Sequence, residues 1–150
     1  NDASRINGQR YGEGIYFSDS FEFSLNYARG IRVNKTDKNS TVKTSISGHR
    51  VYILLCEVGL GKIKEIRTSF DSVEQLPSGF DSIKALGQKM PNPSYNIHLP
   101  NGSIMPLGEM IDTPCLVGES IYHRTGEYNQ YVVYNESQVC IRYIVQCEIE

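Results

Sequence analysis

The most regular alternation of apolar and polar positions lies at the end of the chain. From Val139 to Ile149 every second residue is apolar, an alternation that is typical of a β-strand. The segment YNQYVVY at 128–134 also alternates between two faces, and the NESQ between the two segments favours a turn. We therefore predict that a β-hairpin closes the domain.

Two further stretches differ from this alternation. VYILLCEV at 51–58 is a continuous apolar run of strand length, which predicts a strand that is covered on both faces and lies at the centre of the core. Residues 67–118 contain all six prolines of the chain together with five glycines. This composition predicts an ordered, functional loop region with only short strands.

The start of the chain predicts a strand, a turn and a helix in close succession. Residues 14–17 read GIYF, a short strand, and the following Ser18-Asp19-Ser20 favours a helix start. Asp19 as N-cap with Glu22 three residues later has the spacing of a capping box. One face of the predicted helix then carries Phe21, Ser24, Leu25 and Ala28.

Composition indicates one soluble globular domain. The chain has 150 residues, 39% of them hydrophobic and 21% charged, with a net charge of −2. It contains no apolar stretch of membrane-spanning length, and its polar start lacks the pattern of a signal peptide, so we expect no membrane partner. The four cysteines form no C-x-x-C pair, which favours free thiols in a reducing compartment, nuclear or cytoplasmic.

Common cofactor and metal motifs do not match. Gly12-Glu13-Gly14 lacks the third glycine of a dinucleotide-binding turn, since Phe17 stands there, and Gly61-Lys62 lacks the following hydroxyl of a P-loop. The three histidines, at 49, 98 and 123, have no spacing that suggests a shared metal ion. We therefore predict no metal site.

Four blocks in fixed order carry a more specific signal. They are YGEGIYFSDSFEFSLNYA, VYILLCEVGLGKIKEI, LPSGFDSIKALGQKMPNPS and YNQYVVYNESQVCIRYIVQCEI, and they cover half of the chain. Together they resemble the catalytic domain of the poly(ADP-ribose) polymerase family, with the third block and the ESQ turn most similar to DNA-damage-responsive members. The resemblance implies an α+β ADP-ribosyltransferase fold of two packed, mainly antiparallel β-sheets with few flanking helices. It also implies that residues 1–150 are the C-terminal part of such a catalytic domain.

The resemblance assigns a nicotinamide pocket for NAD to the first block. It makes Tyr27 the aromatic floor under the ring, Tyr16 the opposing wall, and Ser24 a hydroxyl donor to the carboxamide. Aromatic faces contribute about 0.5 to 2 kcal/mol each to binding a flat cationic ring. The residues alone leave a second interpretation open, in which Tyr16 and Tyr27 are amphipathic side chains at the edge of the core.

The last block departs from the family pattern at its catalytic position. Gln130 stands where the resemblance places a glutamate, so it can accept a hydrogen bond from the nicotinamide ribose but brings no negative charge. At about 5 Å and an effective dielectric near 20, the missing charge corresponds to roughly 3 kcal/mol, or about a hundredfold in rate. Glu127 has an odd spacing from Gln130 and is predicted to point to the opposite face.

Other positions bear on the product and on the rest of the pocket. Phe23 stands where polymerising members carry an acceptor-side lysine, Gln9 stands where a donor-loop tyrosine is usual, and Tyr128 lies on the same side. These residues favour transfer of a single ADP-ribose unit, or none. The family's upstream His-Gly pair has no counterpart here, so either a separate chain carries the N-terminal part of the domain or half of the NAD clamp is absent.

Three functional hypotheses follow. The first is an NAD-dependent ADP-ribosyltransferase that needs no metal, modifies a protein or nucleic-acid acceptor, and contacts DNA through domains outside this chain in a DNA damage response. The second is an inactive module or scaffold that binds NAD or ADP-ribose. The third is a nucleic-acid contact made by the basic stretch at 29–50, whose lysines and arginines are equally well explained by solvation.

Overall fold

A computed structural model of the chain describes residues 10–29, 50–71 and 73–148. Gln9 and the basic residues at 30–49 lie outside the described residues. The described strands are β1 (Ile15–Phe17), β2 (Arg50–Val58), β3 (Ile63–Ile66), β4 (Ser82–Ala85), β5 (Lys89–Pro91), β6 (Ile97–His98), β7 (Ile104–Met105), β8 (Met110–Asp112), β9 (Gln130–Val133) and β10 (Val139–Glu148). The helices are α1 (Phe21–Ala28) and three 3-10 turns, Pro93–Tyr95, Ile121–His123 and Glu136–Gln138.

The main sheet has four strands in the order β1-β9-β4-β3. β9 pairs antiparallel with both β1 and β4, whereas β4 pairs parallel with β3. Three other sheets, β2 with β10, β5 with β8 and β6 with β7, are antiparallel pairs. The predicted α+β class with mainly antiparallel strands and few helices is therefore confirmed.

The core lies against one face of the four-stranded sheet. Val132 of β9 is fully buried between its register partners, Tyr16 of β1 and Ile83 of β4. Around them pack the buried residues Tyr11, Ile66 and Ala85, with Val73, Leu76 and Tyr134 at the margin. Apolar burial of this kind contributes about 25 cal/mol of stabilising free energy per Å². The shared core therefore stabilises the short strands β1, β4 and β9.

The predicted β-hairpin in the last third of the chain is wrong. β9 and β10 do not pair as a hairpin, because β9 lies inside the four-stranded sheet and β10 pairs along its length with β2. The turn between them is present, with Asn135 and Gln138 forming a reciprocal capping box around the 3-10 turn. This turn directs the chain out of one sheet and into the other.

The segment VYILLCEV is a strand, as predicted, but it is not the centre of the core. β2 contains no buried residue, and Tyr52, Leu54 and Leu55 are exposed. A continuous apolar run shows that a strand has two apolar faces, but it does not identify the neighbours that cover them. In the described part of the chain, the buried cluster belongs to the four-stranded sheet instead.

The helix start predicted within residues 18–20 is confirmed, but the cap is Ser20 and not Asp19. The Ser20 Oγ accepts a hydrogen bond from the Phe23 N–H at 3.2 Å. The Asp19 Oδ2 instead accepts hydrogen bonds from the side chains of Asn129 and Tyr131. The β1–α1 turn is thereby tied directly to the start of β9.

The region 67–118 contains only short strands of two to four residues, as predicted. An ionic network fixes its far end, where Glu119 accepts hydrogen bonds from Arg67 at 2.5 Å and from Arg124 at 3.0 Å. Arg124 is buried and also donates to the backbone oxygens of Arg67 and Pro114. Hydrogen bonding to Arg67, supported by the Leu116 N–H and the charge of Arg124, lowers the pKa of Glu119 to about 2.

Candidate functional site

In the described part of the chain, the sequence-predicted residues lie on β1, on α1 and around the start of β9. Tyr16 and Phe17 are the register partners of Val132 and Tyr131, so Gln130 lies just past the end of β1. Because side chains alternate along a strand, Gln130 shares the face of β9 that carries Val132, which is the face of Tyr16. Gln130 is half-buried and faces Ala85 across the β4–β9 pair.

Tyr16 is held rigidly by its own hydroxyl group. The hydroxyl donates to the Gly12 carbonyl at 2.9 Å and accepts from the Tyr11 N–H at 3.0 Å. Burial raises the pKa of Tyr16, and the hydrogen bond to Tyr11 opposes that change. With its hydroxyl engaged in the 11–12 turn, Tyr16 packs against the buried cluster at the edge of the core.

Ser24 and Tyr27 are three residues apart on α1 and therefore point to the same side of the helix. The ring of Tyr27 is 66% exposed, as a stacking surface requires. The Ser24 Oγ donates to the Ser20 carbonyl at 3.2 Å, a back-bond to the preceding helical turn. Ser24 must give up this bond, worth about 0.5 to 1.5 kcal/mol net, before it donates to a ligand.

Phe23 joins α1 to the segment before β9 through aromatic contacts. Its ring lies edge-on to Tyr27, with centroids 5.0 Å apart, and it is tilted against Tyr128 at 5.7 Å. Such pairs contribute about 0.5 to 1.5 kcal/mol beyond burial alone. An apolar aromatic wall thus stands at the position where the resemblance places a lysine in polymerising members.

Glu22 is a member of this cluster that the sequence did not single out for the site. Its Oε2 accepts a hydrogen bond of 2.9 Å from the Tyr128 hydroxyl. Burial, followed by that hydrogen bond, raises the pKa of Tyr128 to about 12. Tyr128 is consequently a neutral phenol at physiological pH, fixed between Glu22 and the Phe23 ring.

Glu127 lies beside Tyr128, and its charge is one of the causes that raise the pKa of that phenol. Its side chain is exposed, and its Oε1 is 3.6 Å from the Nζ of Lys89. An exposed pair of this kind contributes about 0 to 1 kcal/mol.

Asn129 is a second residue that the sequence pattern did not single out for the site. It lies between Tyr128 and Gln130, is only 1% exposed, and makes hydrogen bonds with both ends of its side-chain amide. A signal was available, because asparagine is uncommon within strands and a buried amide requires several polar partners. The pattern alone did not show where those partners lie.

Two open surface depressions lie elsewhere on the described structure. One, of about 360 Å³, is lined by residues at the other end of the β1–β9 pair, including Glu13 and Glu136. The other, of about 580 Å³, lies between the 59–61 turn and Gln138. Neither is lined by the residues predicted to bind nicotinamide.

Across the described ranges, no group of three His, Cys, Asp or Glu side chains is placed to hold a metal ion. No helix among those residues has the length and hydropathy that crossing a membrane requires.

Comparison with known proteins places these features in a family. The family model described as "Poly(ADP-ribose) polymerase catalytic domain" matches residues 2–149. The chain is 35% identical to "Poly [ADP-ribose] polymerase 2" of Arabidopsis thaliana over 94% of its length, and 34% identical to the Homo sapiens protein of that name over 95%. It is also 32% identical to "Protein mono-ADP-ribosyltransferase PARP3" of Mus musculus over 95% of its length.

The chain spans only about a fifth of each of these relatives, namely 19%, 21% and 24% of their lengths. The match nevertheless extends over nearly all of the chain and includes the β1–α1 and β9 segments that form the candidate site. On this basis, the chain belongs to the poly(ADP-ribose) polymerase catalytic domain family.

Proposed function

We propose that this chain is the C-terminal part of an NAD-dependent ADP-ribosyltransferase catalytic domain. In the reaction, the bond between the nicotinamide nitrogen and C1′ of the ribose breaks, and nicotinamide leaves with the bonding electron pair. A nucleophilic atom of a protein or nucleic-acid acceptor forms the new bond to C1′ and loses its proton. NAD is the substrate, and the proposal requires no metal ion.

The observation that carries this proposal is the geometry of the β1–α1 unit against β9. Tyr27 offers an exposed ring that Phe23 braces from the side, while Tyr16 has its hydroxyl engaged and its ring on the face of Gln130. A flat, cationic nicotinamide ring gains from stacking on such surfaces. Ser24, on the same side of α1 as Tyr27, supplies a hydroxyl for the carboxamide.

Gln130 determines how fast this chemistry proceeds. Its amide oxygen accepts a hydrogen bond from a ribose hydroxyl and so helps to orient the sugar, but it leaves the cationic C1′ centre without a facing charge. Only interactions that strengthen toward the transition state raise turnover. We therefore expect slow transfer, and with Phe23 and Tyr128 forming an apolar acceptor side, transfer of single units rather than chain growth.

The same residue favours the second candidate function, an inactive module that binds NAD or ADP-ribose. A glutamine preserves the shape of a glutamate and one acceptor oxygen while removing its charge, so ligand binding is affected less than turnover.

The partners of the whole protein are proposed on the resemblance alone. They are NAD, a protein or nucleic-acid acceptor, a segment or separate chain that carries the N-terminal part of the domain, and DNA contacted through other domains. Nuclear location and a role in the DNA damage response stay predictions that an imaging experiment with and without DNA damage tests.

The test is the substitution Gln130→Glu in a protein that also carries the N-terminal part of the domain, assayed as nicotinamide released from NAD. It replaces the side-chain amide with a carboxylate, which adds one negative charge at nearly constant shape. We expect turnover to rise by about two orders of magnitude with little change in apparent NAD affinity. The matched control is Glu127→Gln, which removes a nearby carboxylate that is exposed and faces Lys89; its turnover should equal that of the parent.

The outcomes separate the two functions. Measurable release in the parent, raised in Gln130→Glu, supports the enzyme. Binding of NAD without release in either protein favours the inactive module. No binding and no release in either protein would contradict both.

A further inference from the structure

Asn129 connects three segments of the described chain. Its Oδ1 accepts a hydrogen bond from the Gly87 N–H at 2.9 Å, and its Nδ2 donates to the Asp19 Oδ2 at 2.9 Å. Its backbone carbonyl accepts from the Ser18 Oγ, also at 2.9 Å. We call Ser18, Asp19, Gly87 and Asn129 the Asn129 clamp.

The loop that contains Gly87 is in direct contact with the backbone before Gln130. A Cβ built on Gly87 would lie 2.2 Å from the carbonyl carbon of Tyr128, which no side chain tolerates. Glycine at this position therefore lets its N–H reach Asn129. The backbone of 128–129 is held by the 87 loop and by the β1–α1 turn together.

Asp19 completes the connection on the side of the helix. Its Oδ2 also accepts from the Tyr131 hydroxyl at 2.9 Å, so one carboxylate oxygen binds the residues on either side of Gln130. Its buried Oδ1 has no hydrogen-bond partner among the described residues. A partly buried carboxylate in this position is costly unless it is paired, and Asn129 and Tyr131 offset that cost.

Each joined segment carries residues of the candidate site. The 18–19 turn leads into α1 with Ser24 and Tyr27, and Asn129 itself is flanked by Tyr128 and Gln130. We propose that Asn129 is a positioning residue, which fixes Gln130 against the β1–α1 unit so that the ribose and nicotinamide contacts are made together. This inference rests on the proposed function, because positioning matters only if the chain turns over NAD.

Positioning and plain stability make different predictions. Reaction rates depend steeply on geometry, and a displacement of about 1 Å can cost about a hundredfold in rate. Loss of an ordinary buried hydrogen bond lowers the melting temperature but leaves the rate of the folded enzyme unchanged. Turnover at saturating NAD, measured well below the melting temperature, distinguishes the two roles.

The experiment compares Asn129→Ala with Ser82→Ala in the full chain. Ser82, on β4, is also fully buried, and its Oγ donates to the Leu60 carbonyl at 2.6 Å, away from the candidate site. We expect Asn129→Ala to lower kcat for nicotinamide release by about ten- to a hundredfold, with a smaller change in KM. Ser82→Ala should lose thermal stability while keeping the kcat of the parent.

Asp19 provides a second arm if Asn129→Ala does not fold. Asp19→Asn keeps an oxygen that accepts from Asn129 and should retain most of the parent kcat, whereas Asp19→Ala should lose as much as Asn129→Ala. Since both alanine variants open the same clamp, the double variant should lose little more than either single one.

Failure of the two proposals can be told apart. Nicotinamide release by the parent with equal kcat in Asn129→Ala, or in Asp19→Ala and Asp19→Asn alike, would overturn the positioning role and leave the proposed function intact. Absence of release in the parent and in Gln130→Glu would overturn the enzymatic function and the positioning role with it.

Discussion

At the scale of single residues, Tyr27 gives the most direct test of ligand binding. Its exposed ring is braced edge-on by Phe23, so removing the ring removes a stacking surface without opening the core. We expect Tyr27→Ala to weaken binding of benzamide, a nicotinamide mimic, by about 1 to 3 kcal/mol through lost stacking and burial. Isothermal titration calorimetry measures this difference.

The matched control is Tyr122→Ala. Tyr122 is 84% exposed in the 3-10 turn Ile121–His123 and is not among the residues of the candidate site. Its removal should leave benzamide affinity unchanged. Equal affinities in Tyr27→Ala and the parent would place the aromatic floor elsewhere.

Single residues also show how far the sequence predicts the site. The strand and the helix predicted around Tyr16, Ser24 and Tyr27 are present, because local spacing fixes the side of a short strand or helix, and the roles of these residues stay predictions. The capping-box spacing misassigned the cap to Asp19, whose Oδ2 accepts a hydrogen bond from Asn129, 110 residues further along the chain. Hydrogen bonds over such separations depend on the fold, which no local pattern contains.

At the scale of elements, Glu119 holds the end of the long loop region to β3. Its carboxylate accepts hydrogen bonds from both Arg67 and the buried Arg124. Because these partners lower its pKa to about 2, the ionised carboxylate of Glu119 is favoured in the folded state and stabilises it. The stabilisation is present above the ordinary pKa of 4.5 and is lost as the pH falls toward 2.

This linkage predicts a pH-dependent effect of Glu119→Gln. At pH 7 the variant should melt several degrees below the parent, because Arg124 loses its charged partner. The difference should shrink as the pH is lowered from about 5 toward 2, where the parent carboxyl is itself protonated. Thermal denaturation by circular dichroism over this range measures it.

The control for this prediction is Glu109→Gln, which removes an exposed carboxylate from the same loop region. Its melting temperature should follow that of the parent at every pH. A constant difference between Glu119→Gln and the parent from pH 7 to pH 2 would mean that charge is not what Glu119 contributes.

The strands also show why the sequence can predict a strand without predicting its pairing partner. The alternation in β9 and β10 correctly predicted two strands and a turn, because a period of two is a local property. Their assignment to different sheets depends on β1 and β4 on one side and β2 on the other, all distant in sequence. Adjacency in sequence favours a hairpin, and here the capped 136–138 turn leads out of the sheet instead.

At the scale of the whole molecule, the β2–β10 ribbon leaves apolar side chains exposed on both of its faces. Leu54 and Ile144 are register partners and are 52% and 67% exposed, and Tyr143 and Val145 on the neighbouring positions are also exposed. Exposed apolar patches of this kind promote association. The net charge of −2 provides little repulsion against it.

We therefore expect the isolated chain to associate as its concentration rises, in a way that depends on this ribbon. The double substitution Leu54→Lys with Ile144→Glu should suppress association, since it replaces an apolar cross-strand pair with an attractive charged pair and leaves the net charge unchanged. The melting temperature should change by only a few degrees, because both side chains are largely exposed.

The control is Leu107→Lys with Val117→Glu, which has the same change in charge at two exposed positions outside the ribbon. Sedimentation velocity measures the association of each protein. A parent that stays monomeric, or a ribbon variant that associates like the control, would show that the exposed ribbon does not drive association.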